Sequence, residues 1–218
     1  MIRAVLFDLD GTLYDRDAHI LEMARRQFAM FGPELDGIRP DRFLARTVEL
    51  DQHGHNRPPH VFHILMEEWG LSPELAQSME ADFRANFHRN LVLSADTLET
   101  LKALRDRGKT LGIITNGPAY WQSAKVDSLG IREYFKTVVI SGEEGVQKPD
   151  PVIFERAVAR CGVAVHEAMY VGDHPDADIR GALSASLVPV WKRMPYWEVP
   201  AEIARVDNLS ELLSLCGD

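Results

Sequence analysis

The chain has 218 residues, 45% hydrophobic and 26% charged, an ordinary globular balance that excludes disordered, collagenous and coiled-coil chains. This is longer than one average domain, so a single large domain or a core with an inserted subdomain is expected. With 24 Lys and Arg against 33 Asp and Glu the net charge is −9, and no basic run is present to neutralise a phosphate backbone, so nucleic acid is not an expected partner.

The first predicted element is the strand Ala4-Val5-Leu6-Phe7, ending on Asp8. That acid interrupts the apolar run where a signal peptide would still be hydrophobic, and no later segment reaches the ~18 uninterrupted apolar residues of a membrane span. The two cysteines, Cys161 and Cys216, are too few and too far apart for a disulfide framework or a thiolate zinc site. A cytoplasmic protein with no membrane partner is therefore expected.

Between about residues 17 and 92 the strand texture vanishes. Leu75, Met79, Phe83 and Phe87 recur at the spacing of one helical face. Weaker patterns at 18–31, 40–50 and 59–69 are separated by Gly32-Pro33, Gly37 to Pro40 and Arg57-Pro58-Pro59, so about four inserted helices are predicted. His60, His63 and Glu67 share a helical face, with His53 and His55 close by. Without thiolates, and beside the loop Gly54 to Pro59, these histidines read as solvated or substrate-facing and not as metal ligands. Arg57 or a histidine of that loop, and Tyr14, Arg16 and His19, are candidates to meet the far end of a substrate.

From residue 95 onward short apolar strands alternate with helices. Thr110 to Thr115, Thr137 to Ile140, Ala168 to Val171 and Leu187 to Trp191 read as strands, with helices near 97–107, 119–129, 151–160 and 176–185. Such alternation argues a parallel sheet covered on both faces. Trp191, Tyr196 and Trp197 read as packing residues of a sheet edge or an exposed face. The fold class is α/β, a doubly wound, Rossmann-like parallel sheet core over 1–16 and 93–218 with an all-helical cap over 17–92.

Four reactive clusters follow four predicted strands, and in an open parallel sheet those carboxyl ends border the ligand crevice, so the clusters are expected to converge. In Asp8-Leu9-Asp10-Gly11-Thr12 both acids point to the same side of an extended chain. Close carboxylates repel unless a cation or a shared proton offsets them, so turn capping alone is a weak account. Thr115-Asn116-Gly117-Pro118 offers a hydroxyl and backbone amides before a helix, which suits an anion site or an ordinary strand-to-helix turn equally. Lys148 sits in a stiff loop before a helix that Asp150 can cap. In Gly172-Asp173-His174-Pro175-Asp176-Ala177-Asp178, Asp176 or Asp178 can cap the next helix, whereas Asp173 has no such account.

Taken in order, these residues resemble the haloacid dehalogenase-like hydrolase superfamily. Asp8 to Thr12 match its DxDGT signature, Thr115 its strand-end Ser/Thr, Lys148 its lysine motif, and Gly172-Asp173 with Asp178 its GDxxxxD motif. The helical insertion after the first strand resembles that family's cap, so the resemblance spans essentially the whole chain. It implies a phosphomonoester hydrolase in which Asp8 is the nucleophile and Asp10 the acid and then the base. It further implies Mg²⁺ held by Asp8, Asp173 and the backbone carbonyl of Asp10, with Asp178 behind them holding a metal-bound water or Lys148. Thr115 and the amides of Asn116 and Gly117 would hold phosphoryl oxygens, with Lys148 offsetting their charge.

The substrate implied is a small phosphorylated metabolite such as a sugar phosphate, phosphoglycolate or a nucleoside monophosphate. A true 2-haloacid dehalogenase lacks the second acid of the first motif, having no alcohol to protonate, so Asp10 favours phosphate chemistry. An aspartate-phosphorylated signalling module would carry neither the helical insertion nor its acceptor at the end of the first strand.

Overall fold

The protein is described by a computed structural model covering residues 1–54, 56 and 58–217; His55 and Arg57, two of the candidates for contact with a substrate, lie outside the described residues. It divides into two compact units, Arg16–Arg89 and a discontinuous unit of Met1–Asp15 with Asn90–Asp218. In chain order, β1 (Ala4–Phe7) precedes four helices, α1 (Arg16–Phe31), α2 (Pro40–Asp51), α3 (Pro58–Trp69) and α4 (Pro73–Asn86). The second unit continues with α5 (Thr97–Asp106), β2 (Thr110–Thr115), α6 (Ala119–Ser128), β3 (Thr137–Ile140), α7 (Ser141–Glu144) and α8 (Pro151–Cys161). It ends with β4 (Ala168–Gly172), α9 (Gly181–Ser184), β5 (Val188–Lys192), β6 (Ala204–Val206) and α10 (Leu212–Leu215).

In the helical unit α4 starts where Ser72 Oγ accepts from the Leu75 amide at 3.1 Å and Pro73 fills the first turn, where its missing N–H costs nothing. Its stripe Leu75, Met79, Phe83 and Phe87 is buried with Ile20, Met23, Phe43 and Leu65. Phe43 is fully buried, its ring 5.5 Å from Phe28 and 5.8 Å from Trp69. Phe43→Ala is expected to cost about 3–5 kcal/mol in urea denaturation, the range for a large buried aromatic that leaves a cavity. A loss below about 1 kcal/mol would show that the site collapses freely.

All six strands are parallel, in the order β3-β2-β1-β4-β5-β6. Alternate residues of β1 serve opposite faces: Val5 and Phe7 pack with Leu101, Leu104 and Val126, while Ala4 and Leu6 pack with Ile153, Phe154 and Ala157. Both faces are covered, which is why β1 reads as an unbroken apolar run. Beyond β1 the chain leaves at Tyr14 and returns at Leu93, and these two residues pair antiparallel.

Three local expectations change. The three-residue β6 is too short to show a period, and because it pairs outside β5, Trp191 is buried inside the sheet and not at its edge or on an exposed face. The helix expected over 176–185 is instead a π-helical turn, Pro175–Arg180, running into α9. Its cap is the His174 ring, whose Nδ1 accepts from the amides of Asp176 and Ala177 at 3.0 Å each. Asp176 therefore pairs with exposed Arg180 instead of capping, while Asp178 turns inward and its Oδ2 accepts from the His174 amide at the start of the turn at 2.9 Å. Among the described residues no helix is long and apolar enough to cross a membrane.

Candidate active site

β1, β2 and β4 are neighbours and parallel, so the residues that follow them emerge side by side at the carboxyl ends of the strands. Asp8 follows β1, Thr115 ends β2 and Asp173 follows β4. Asn116 draws in the loop carrying Lys148: its Nδ2 donates to the Lys148 carbonyl and its Oδ1 accepts from the Lys148 amide, both at 2.9 Å. That side chain thus orders the lysine loop. The Gly117 amide, a candidate to hold a phosphoryl oxygen, donates to Ser141 Oγ at 3.0 Å.

The buried Lys148 ammonium has three protons and three acceptors, Asp8 Oδ1 and Asp178 Oδ1 at 2.6 Å each and the Tyr170 hydroxyl at 2.9 Å. Tyr170 in turn donates to Asp178 Oδ1 at 2.9 Å. Burial opposes the lysine's charge, but the carboxylates of Asp178 and Asp8 outweigh it and hold the ammonium above its ordinary pKa. Burial also dominates at Asp8, and with the Asp178 and Asp10 carboxylates it pushes that carboxyl up to about 7 against the pull of Lys148. Asp173 is held well above the usual carboxylate range, first by burial and then by Asp8 and Asp178.

One lysine is too little positive charge for this group of acids. Carboxylate oxygens of Asp8, Asp173 and Asp178 lie within 4.8 Å of one another, a donor set made wholly of oxygen that suits a hard cation such as Mg²⁺. The backbone is shaped to allow it: at Gly11, with φ of 85°, a Cβ would fall 2.5 Å from Asp173 Oδ2. Trp191 Nε1 donates to the Asp173 carbonyl at 2.7 Å and fixes that turn. The residues therefore fit a divalent metal.

Asp10 has separate partners. Its Oδ1 accepts from the Tyr14 hydroxyl and from Lys125 Nζ, the latter at 2.6 Å, and its Oδ2 accepts from Gln122 Nε2 at 2.8 Å. The same Gln122 nitrogen donates to Thr115 Oγ1. Gln122, Lys125 and Tyr170 did not stand out in the sequence. The one available signal was the spacing of Gln122 and Lys125, three residues apart on the helix that follows the Thr115 loop.

Tyr14, Arg16 and His19, read as candidates for substrate contact, make internal bonds. Tyr14 is buried against Asp10, the Arg16 guanidinium pairs with Asp51 and lies 5.3 Å from the Phe87 ring centre, and His19 Nε2 is 2.7 Å from the Phe87 carbonyl. His53 Nδ1 lies 2.9 Å from Asp17 Oδ2, and His63 pairs with Glu67 along α3 at 3.2 Å.

Residues 2–186 match the family model described as haloacid dehalogenase-like hydrolase. The glyceraldehyde 3-phosphate phosphatase of Methanopyrus kandleri is 40% identical over 196 residues, covering 87% of this chain and 83% of that protein. A pyrimidine 5'-nucleotidase of Escherichia coli is 37% identical over 217 residues, covering 97% and 95%. The crystal structure of a phosphatase of this family from Thermococcus onnurineus superposes with a TM-score of 0.68 at 28% identity, covering 99% of this chain and 98% of that one.

Proposed function

We propose a function from one premise: this chain belongs to the haloacid dehalogenase-like hydrolase family, and within it to the phosphatases. The reading best supported is hydrolysis of the phosphomonoester of a small metabolite, with Mg²⁺, through an aspartyl-phosphate on Asp8. The observation that carries it is the buried Asp8 carboxylate at a strand end, 2.6 Å from the Lys148 ammonium and grouped with Asp173.

In the first half-reaction an Asp8 oxygen attacks phosphorus, the bond from phosphorus to the alcohol oxygen breaks, and Asp10 gives its proton to the departing oxygen. In the second, Asp10 takes a proton from water as that water attacks the aspartyl-phosphate, freeing inorganic phosphate and regenerating Asp8. The Thr115 hydroxyl and the Lys148 ammonium hold the phosphoryl oxygens, while Asp178 and Tyr170 keep that ammonium in place. Mg²⁺, held by Asp8, Asp173 and the Asp10 backbone carbonyl, would supply the positive charge that lets carboxylate and phosphate meet. The helical unit Arg16–Arg89 is read as the family's cap, which selects the leaving group. The similar proteins named above act on glyceraldehyde 3-phosphate and on pyrimidine 5'-nucleotides, which supports a phosphorylated sugar or nucleoside as the substrate class.

The test is a turnover panel of sugar phosphates, phosphoglycolate and nucleoside monophosphates, with Mg²⁺ or with EDTA, and with 2-chloropropionate as control. Metal-dependent phosphate release is expected. Chloride release without metal would overturn the reading. Binding is checked separately by thermal shift: Mg²⁺ should raise the melting temperature of the wild type, since a ligand that binds only the folded state stabilises it by mass action. Asp173→Asn should lose most of that rise and need at least about 10-fold more Mg²⁺ for turnover. An equal rise in both proteins would remove Asp173 from the metal site.

A further inference from the structure

Asp8 and Asp10 are two residues apart, yet each is held by its own lysine: Lys148 bonds Asp8, and Lys125 bonds Asp10. Lys125 and Gln122 project from the same face of α6, three residues apart. Both are buried. A buried ammonium is costly unless it is paired, and the Asp10 carboxylate supplies the pairing. Gln122 spends both protons of one amide nitrogen, one on Asp10 Oδ2 and one on Thr115 Oγ1.

We propose that Gln122 and Lys125 are positioning residues for Asp10, and that Gln122 ties the proton-transferring carboxylate to the hydroxyl that holds the phosphoryl group. This rests on the reading of Asp10 as acid and base.

The geometry shows what the two residues accomplish. The Asp10 side chain keeps 20% of its surface exposed and follows the end of β1, so packing alone does not fix its rotamer. Donors on both oxygens fix the carboxylate plane, because turning it about its last torsion breaks these bonds together. Thr115 ends β2, so the bridge through Gln122 sets the distance between the proton-transferring and phosphate-holding groups from a rigid strand. The turn is shaped around that side chain. At Gly117, with φ of 149°, a Cβ would sit 3.0 Å from both Cγ and Cδ of Gln122. A misplacement near 1 Å in a reacting group costs on the order of 100-fold in rate, so loss of either donor should be visible in kcat.

The experiment is a double-mutant cycle on the whole enzyme with p-nitrophenyl phosphate and Mg²⁺. Gln122→Ala and Lys125→Met are each made in the wild type and in Asp10→Ala. In the wild type each should lower kcat by roughly 10- to 100-fold, move KM less than about threefold, and produce a burst of p-nitrophenolate because the base-dependent second step is slowed. In Asp10→Ala the same changes should alter kcat by less than about twofold, since the group they position is gone. Lys125→Arg should recover part of the loss.

Gln122→Glu, which keeps the side chain's length but has no amide proton to give Asp10, should lower kcat in the same direction, and the circular dichroism and melting temperature of each variant identify one that fails to fold. Equal costs in both backgrounds would mean that Gln122 and Lys125 only brace α6, and would overturn the positioning role alone. An Asp10→Ala enzyme with undiminished kcat would overturn the acid-base reading as well.

Discussion

Asp8→Asn is expected to abolish turnover of every phosphomonoester, with kcat lower by at least about 10⁴-fold, the scale seen when a catalytic nucleophile is removed. A carboxamide is nearly isosteric with the carboxylate but does not form the acyl phosphate, so no leaving group, however good, rescues it. Acid quench with labelled substrate should find no phosphoenzyme. Measurable turnover with label on another residue would assign the nucleophile elsewhere.

The same variant should gain stability. Asp8 titrates near 7 in the folded chain against an ordinary value of 3.8, so the metal-free folded state binds this proton more tightly than the unfolded state. Wild-type stability in EDTA should therefore fall as pH rises from about 4 through 7. The Asp8→Asn protein, lacking this group, should lose less over that window, and melting curves in EDTA at pH 5 and pH 8 measure the difference. A wild type that gains on the variant as pH rises would contradict the burial-driven rise at Asp8.

Asp10→Ala should fail differently. An alkyl phosphate needs its alcohol protonated as it leaves, whereas p-nitrophenolate leaves unaided, so the first step should slow far more for the alkyl ester. The second step lacks its base with either substrate. Rapid mixing with p-nitrophenyl phosphate should release about one equivalent of p-nitrophenolate per site, followed by slow turnover with phosphate trapped on Asp8. Equal slowing of both esters without a burst would make Asp10 a structural residue.

The strands were legible because runs such as Ala4 to Phe7 and Ile113-Ile114 are buried on both faces and carry nothing polar. β6 has three residues, one of them Arg205, and the π-helical turn depends on a His174 side chain that no periodicity encodes. The strand-end acids could be read because they interrupt or end apolar runs, and Lys148 because it stands in a stiff loop before a helix and matches the lysine motif of the resemblance. Gln122 and Lys125 were hidden for the opposite reason. Polar residues on a helix normally face solvent, so nothing local marks these two as turned inward toward Asp10. Tyr170 was hidden inside β4, where an aromatic reads as core, although its hydroxyl reaches Lys148 and Asp178.

The pairing of Tyr14 with Leu93 bears on how the chain finds its fold. β1 is an inner strand, paired on both sides, yet its first partner, β2, begins at Thr110, so on a ribosome adding ~5–20 residues each second β1 waits several seconds for a neighbour. Bringing Tyr14 to Leu93 through an unstructured loop of about 80 residues costs on the order of 4 kcal/mol of chain entropy. Helices α1 to α4 rely on contacts within Arg16–Arg89, all of which is synthesised before β2. Their early collapse would gather the two ends of that loop in advance, and the insertion would then act as a built-in folding clamp for the sheet.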